Sequence, residues 1–275
     1  MSPAVIQTGH GFQMLYRRVL ERIGDASTES EYEDRSVIAL AVSDDGLHFV
    51  ARQGVVLSPS DYIGLEDPTI VRHGGEYVVF YTGWTGWSQG VASLLWARGR
   101  SLDALVPQGV AIAPTPPERF VKEAEYRDGL LWCEIDRLEP HERSRIAVTR
   151  SSSPLGPWPQ PAVIGEARPD GWDAVNVSTG PLIDHVGRLF MFYNGMVRTD
   201  DHDFVHAARI GLLELDRGTG MILGRSSSPV LEPPPGGQIA FAAAIAGDIL
   251  YYTVDDREIW AASLNRAALT QIVLT

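Results

Sequence analysis

Two short acidic segments in this chain contain the residue types that hydrolyse glycosidic bonds. Glu66 and Asp67 precede one aromatic-rich segment, and Glu125 precedes the next. In inverting hydrolysis, one carboxyl group gives a proton to the leaving oxygen while another, about 6.5–9.5 Å away, activates water. The carboxylates of these segments are therefore candidates for such a pair, although Asp67 also suits a turn and Glu125 a salt bridge.

Further polar residues flank the same kind of segment and are candidates for binding a ligand. Carboxylates accept hydrogen bonds from hydroxyl groups, and a tryptophan ring offers an apolar face on which a sugar ring can stack. We predict that these side chains converge on one polar site. The candidate ligand-binding residues are Arg17, Glu66, Trp84, Lys122, Arg137, Asp173, Asn194 and Asp256.

A five-fold repeat must position these residues. Glycine-led, aromatic-rich segments recur along the chain, 54 to 64 residues apart, and a second apolar segment follows each of them. Repeats of about four strands, each too small to bury a core alone, are typical of β-propeller blades. The sequence therefore predicts an all-β fold, a single five-bladed β-propeller domain over residues 1–275. The repeats are anchored at Gly11, Gly75, Gly129, Gly187 and Gly247.

Composition limits the classes of partner. The formal net charge of −12 argues against nucleic acid, which attracts basic surfaces. No apolar run approaches the ~20 residues of a membrane helix, and the N-terminus lacks a secretory pattern. The only cysteine, Cys133, suits a reducing compartment. We expect a cytoplasmic protein with a small-molecule or oligosaccharide substrate and no nucleic-acid or membrane partner; the oligomeric state stays open.

We expect neither a cofactor nor a metal ion. One group of residues has metal-binding side chains but lacks the spacing of a ligand set, and a solvated loop is the better interpretation. Its members are Asp200, Asp201, His202, Asp203 and His206.

The order of several motifs resembles glycoside hydrolase family 130, which contains mannoside phosphorylases and some β-mannoside hydrolases. This resemblance implies a five-bladed propeller related to families 43, 32 and 117. It also implies that Asp67, in the family's Glu-Asp-Pro motif, is the general acid. The matching segments are SDDGLHF (43–49), GLEDPTIV (64–71), KEAEY (122–126), WDAVNVSTGPLI (172–183), RIGLLELDR (209–217), ILGRSSSPVLEP (222–233) and LYYTVDD (250–256).

Three departures from the family pattern remove groups that would hold phosphate. Thr69 stands where the phosphorylases have arginine, Asn194 where they have histidine, and Asn176 where they have lysine. Arginine and lysine are the usual phosphate-binding side chains. We therefore expect hydrolysis with inversion and no phosphorolysis.

Alternatives remain at this stage. Glu125 is the first candidate for the base, followed by Glu123 and Asp173, because spacing cannot choose among them. The propeller could also bind a carbohydrate without cleaving it, or serve another acid–base reaction in small-molecule biosynthesis.

Overall fold

The computed structural model describes residues 2–23, 33–86, 90–137, 144–198, 206–272 and 274. Within these ranges the chain is almost entirely β-structure, and the one α-helix is α1 (Arg266–Leu269) near the C-terminus. No helix in these ranges is long and apolar enough to cross a membrane.

The strands group into the five predicted blades. Blade one contains β1 (Pro3–Thr8), β2 (Gly11–Ile23), β3 (Glu33–Ser43) and β4 (Val50–Ala51). Blade two contains β5 (Gly64–His73), β6 (Glu76–Trp84), β7 (Ala92–Gly99) and β8 (Val106–Ile112). Blade three contains β9 (Phe120–Arg127), β10 (Leu130–Asp136), β11 (Arg145–Arg150) and β12 (Ala162–Gly165).

The last two blades are less regular. Blade four contains β13 (Asn176–Ser178), β14 (Leu182–His185), β15 (Arg188–Arg198), β16 (His206–Leu215) and β17 (Ile222–Arg225). Blade five contains β18 (Ala240–Ala246), β19 (Ile249–Val254) and β20 (Glu258–Ser263). Single parallel pairings, Ser36 with Gly64 and Ala92 with Phe120, join the first three blades into one hydrogen-bonded sheet.

The repeat anchors occupy equivalent places. Each anchor glycine lies in, or directly after, the tight turn that precedes the aromatic-rich strand of its blade (β2, β6, β10, β15 or β19), and all five have positive φ. Glycine adopts this conformation without the steric cost that a Cβ atom imposes. The aromatic segments that follow form these strands, and several of their large side chains are fully buried: Phe80, Trp132, Phe190, Tyr193 and Tyr251. Cys133 is also buried, in β10.

The inner strands share a local distortion that sets the site geometry. In β5, one extra residue separates Glu66 from Thr69 relative to the partner strand, and β9 has the same bulge between Lys122 and Glu125. A bulge also occurs in β18, around Ala243. Because a β-bulge redirects side chains locally, neighbouring residues of one strand can face the same space.

In blade four, a break between β13 and β14 interrupts the inner strand where blades two, three and five have a bulge. Gly180 lies in this break, and a Cβ atom there would come within 2.0 Å of the Phe192 carbonyl oxygen. Glycine is therefore required for this close approach of two backbone segments.

Candidate active site

A cavity of about 230 Å³ lies where the inner segments of the five blades meet, and we call it the central cavity. Each blade contributes part of its wall. Its lining residues include Ser2, Pro3, Arg17, Glu66, Asp67, Thr69, Lys122, Glu123, Glu125, Thr179, Gly180, Asn194, Phe241, Ala242, Ala243, Thr253 and Asp256. Seven of the predicted site residues are thus brought together: Arg17, Glu66, Asp67, Lys122, Glu125, Asn194 and Asp256.

Asp67 lies at the bulge of β5 with φ +50°. The Ser2 hydroxyl donates a hydrogen bond to its Oδ1 at 2.5 Å, and the Thr82 hydroxyl lies 3.4 Å from its Oδ2. Glu123 occupies the equivalent position in the bulge of β9, with φ +51°. From the sequence order we predicted that Glu125 is the counterpart of Asp67. The strand register shows instead that Glu123 in β9 corresponds to Asp67 in β5, and that Glu125 corresponds to Thr69.

Arg17 links three carboxylates at one side of the cavity. Its guanidinium lies 2.9 Å from Asp34, 3.1 Å from Asp256 and 3.5 Å from Glu66. Burial alone would lower the pKa of Arg17, but these carboxylates raise it above its usual value. Burial raises the pKa of Glu66 to about 7; Arg17 opposes this rise and Asp67 adds to it. Arg17 is therefore held as a cation by the acidic wall.

Lys122, on blade three, is also a partly buried cation that contacts carboxylates. Its Nζ lies 3.3 Å from Glu123 and 3.6 Å from Glu134. Burial disfavours its charge, yet Glu134 and Glu123 raise the pKa of Lys122 well above its usual value. Burial also raises the pKa of Glu123 and of Glu134, since each carboxylate is removed from water.

Glu125 differs from the other lining carboxyl groups. Burial raises its pKa to about 8, and the charge of Arg127 works in the opposite direction. Within the described ranges, no hydrogen bond or ion pair to the Glu125 carboxyl group is observed. Its carboxyl group is therefore available to a water molecule or a ligand.

Asn194 lines the cavity but is used within the protein. Its amide nitrogen lies 3.0 Å from the Thr179 carbonyl oxygen, and its Oδ1 accepts a hydrogen bond of 2.7 Å from the Ala242 backbone nitrogen. It is 2% exposed. Asn194 thus connects blades four and five.

Three predicted residues do not line the central cavity. Trp84 packs edge-on against Phe120 of the next blade, with ring centroids 5.2 Å apart. Arg137 donates to Glu118 at 3.1 Å, away from the cavity wall. We predicted both side chains at the cavity. In the structure, Trp84 instead packs between two blades and Arg137 pairs with Glu118.

Asp173 is the third, and it is fully buried against residues of blade four. The Tyr193 hydroxyl donates to its carboxylate at 2.7 Å, Arg225 lies 2.5 Å away and Arg168 3.3 Å away. The Arg225 guanidinium also stacks over the Tyr193 ring at 4.8 Å. These partners turn Asp173 away from the cavity, so it is no longer a candidate for the base.

We expect Asp173→Ala to destabilise the protein by about 3–5 kcal/mol, because removal of one partner leaves a buried charge uncompensated. Chemical denaturation would measure the loss. The matched variant Asp170→Ala, on the exposed turn nearby, should change the free energy of unfolding by less than about 0.5 kcal/mol. Equal losses in the two variants would contradict this assignment.

Sequence reasoning missed three residues that shape the site: Ser2, Thr82 and Glu134. Glu134 was detectable, since it is a lone carboxylate within an otherwise apolar strand, LLWCEI (130–135). Ser2 and Thr82 carried no such signal, because their role depends on the pairing of β1 and β6 with their neighbours. The loop predicted around Asp200–Asp203 falls outside the described ranges.

No family model matches the chain. A 1,2-β-oligomannan phosphorylase from Thermoanaerobacter sp. (strain X514) is 26% identical over 233 residues, which cover 82% of this chain and 72% of that protein. A β-1,2-mannobiose phosphorylase from the same organism is 26% identical over 241 residues, 84% of this chain and 74% of that protein.

Solved structures agree on the fold. The β-1,2-mannobiose phosphorylase of Listeria innocua, in complex with β-1,2-mannobiose, matches with a TM-score of 0.76 and 19% identity, over 98% of this chain and 90% of that one. An arabinanase from Bacillus subtilis matches with a TM-score of 0.65 and 14% identity, over 97% and 94%. The family 130 resemblance and the propeller fold class are thus confirmed. The two relatives matched by sequence are phosphorylases, so hydrolysis stays a prediction.

Proposed function

We propose that this protein hydrolyses a mannoside with inversion of configuration, with Asp67 as the general acid and Glu125 as the base. The main support is the central cavity, in which Asp67 sits on a bulge and the Glu125 carboxyl group has no partner within the described ranges. The relatives act on β-1,2-linked mannosides by their names, which supports this substrate class.

The other charged groups suit hydroxyl recognition. Glu66 and Asp256 are held by Arg17, and Glu123 is held by Lys122, so their oxygens have fixed positions at the cavity wall. Carboxylates in fixed positions accept hydrogen bonds from adjacent sugar hydroxyls. The non-reacting part of the sugar is thereby oriented for attack.

The proposed reaction needs one water molecule per bond. Asp67 donates its proton to the glycosidic oxygen as the bond between that oxygen and the anomeric carbon breaks. A water molecule attacks the anomeric carbon from the opposite face, and Glu125 takes its proton. Ser2 fixes the Asp67 carboxyl group on one side, since it donates to Oδ1.

Water is favoured over phosphate because the three departures from the phosphorylase pattern leave no compensating donors at these positions. The Thr69 hydroxyl donates to the Ala124 carbonyl oxygen at 2.5 Å. The Asn194 amide is used between blades, and the Asn176 Oδ1 accepts from the Ser144 backbone nitrogen at 3.1 Å. Arg17 and Lys122, the lining cations in the described ranges, already contact several carboxylates.

We expect β-1,2-mannobiose to be cleaved at the same rate in phosphate-free buffer and in phosphate buffer, with mannose as the product. An acidic wall whose cations are already paired offers phosphate little binding energy. Chromatography of the products in both buffers measures this. Formation of mannose 1-phosphate at a rate that rises with phosphate concentration would show phosphorolysis instead.

One observation favours a second assignment of roles. With its pKa raised to about 8, Glu125 is mostly protonated at neutral pH in the ligand-free protein. A protonated carboxyl group suits a general acid. In that case Asp67, which accepts hydrogen bonds from Ser2 and Thr82, would be the base. The two assignments predict opposite pH profiles.

A further inference from the structure

A second cavity, of about 150 Å³, adjoins the central cavity, and we call it the rear cavity. Thr69, Glu125 and Ala243 line both. Its other lining residues include Ala4, Val5, Tyr126, Arg127, Leu182 and Ala244. Glu125 is therefore the one titratable side chain, among the described residues, that contributes to both walls.

The rear cavity is suited to water. A cavity needs about 10–15 Å³ to hold one water molecule, and that molecule needs two to four polar partners. The rear cavity is much larger, and Thr69, Glu125 and Arg127 bring polar side chains to its wall. A buried carboxyl group without a protein partner is costly unless water hydrates it. Glu125 is half-buried, and within the described ranges its carboxyl group has no protein partner, so water in the rear cavity can hydrate it.

Arg127 is a partly exposed residue of the rear cavity wall. Its side chain is 36% exposed and pairs with Asp184, which also pairs with Arg217. The positive charge of Arg127 favours the ionised form of Glu125. The wall of the rear cavity thus combines a titratable carboxyl group with a charged and partly exposed side chain.

We propose that the rear cavity is a water site through which Glu125 exchanges its proton with the solvent while a sugar fills the central cavity. This inference rests on the proposed function only in that Glu125 handles one proton per turnover. As the base, Glu125 gains the proton that the attacking water loses, and passes it to a water molecule of the rear cavity. Asp67, which gave its proton to the leaving oxygen, recovers one from solvent.

The test is Ala244→Leu, because Ala244 lines the rear cavity and not the central one. The added side chain displaces water, so we expect the pKa of Glu125 to rise from about 8 by about one unit or more. Carbon-13 NMR titration measures it, with Glu125→Gln identifying the signal. On β-1,2-mannobiose, kcat should fall about tenfold or more while KM stays within about twofold.

Ala246→Leu is the matched control. Ala246 belongs to the same strand and the same buried cluster as Ala244 but lines neither cavity. It should leave the pKa of Glu125 unchanged. If Ala244→Leu does not fold, Ala244→Val makes the same test with a smaller side chain.

The outcomes separate the two proposals. An unchanged pKa in Ala244→Leu, or an equal shift in Ala246→Leu, would overturn the water site. A raised pKa in a protein whose wild type cleaves no mannoside would support the water site and contradict the proposed function. If the wild type cleaves the mannoside and kcat is unchanged in Ala244→Leu, the role of the rear cavity is contradicted but the proposed function is not.

Discussion

Replacing Asp67 by Asn should lower turnover by about 10²–10⁴-fold, the usual contribution of general acid–base catalysis. Asparagine keeps the shape of the side chain and can still accept the hydrogen bond from Ser2, but it has no proton to transfer. Asparagine also tolerates the positive φ of this position, so the backbone should not be strained. Steady-state kinetics on β-1,2-mannobiose, with calorimetry for affinity, measures both effects.

Asp255→Asn is the control for this variant. Asp255 also has φ +50°, but its carboxylate accepts hydrogen bonds from the backbone nitrogens of Gln238 and Ile239, outside the central cavity. Turnover should be unchanged in Asp255→Asn, and ligand affinity in Asp67→Asn should stay within several-fold of wild type. A wild-type rate in Asp67→Asn would eliminate Asp67 as acid and as base.

The repeat was predictable from sequence because two physical constraints recur in every blade. A tight turn between the first two strands requires a residue with positive φ, and glycine supplies it at all five anchors. The strand that follows is mostly apolar and aromatic, and in β6, β10, β15 and β19 its central residues are buried. Both constraints act on neighbouring residues and are therefore visible in the sequence.

The positions of single side chains were less predictable, because they depend on register. The bulges of β5 and β9 redirect Asp67 and Glu123, and an extra residue in a strand leaves no compositional mark. Asp173 looked equivalent to the other acidic residues before a second strand. Two arginines and Tyr193, brought close only by folding, bind its carboxylate, and it does not line the central cavity.

Replacing Glu125 by Gln is the second change with a large expected effect. We expect turnover to fall about 10²–10⁴-fold, since Gln keeps the size of the side chain but can neither take nor give the proton. Glu123→Gln is the comparison variant, because Glu123 is paired with Lys122 and is proposed to bind hydroxyl groups. It should raise KM more than it lowers kcat. The reverse pattern would make Glu123 the base.

Glu125→Gln also has an effect that needs no substrate. The pKa of Glu125 is about 8 in the folded protein against an ordinary value of 4.5. A raised carboxyl pKa means that the folded state holds its proton more tightly, so this group favours folding at low pH. Its contribution is lost as pH rises from about 4.5 through about 8. Denaturation at several pH values should show that this loss is absent in Glu125→Gln.

The pH dependence of kcat/KM then separates the two assignments of roles. If Glu125 is the base, it must be ionised, and kcat/KM should rise with pH up to about 8, the pKa of this group in the free protein. If Glu125 is the acid, it must be protonated, and kcat/KM should instead fall above about 8. Arg127→Gln supplies the confirming shift: it removes the charge that lowers the pKa of Glu125, so the limb assigned to this residue should move to higher pH. A limb near pH 8 that does not move in Arg127→Gln would belong to another group, and Glu125 would then bind the substrate without transferring its proton.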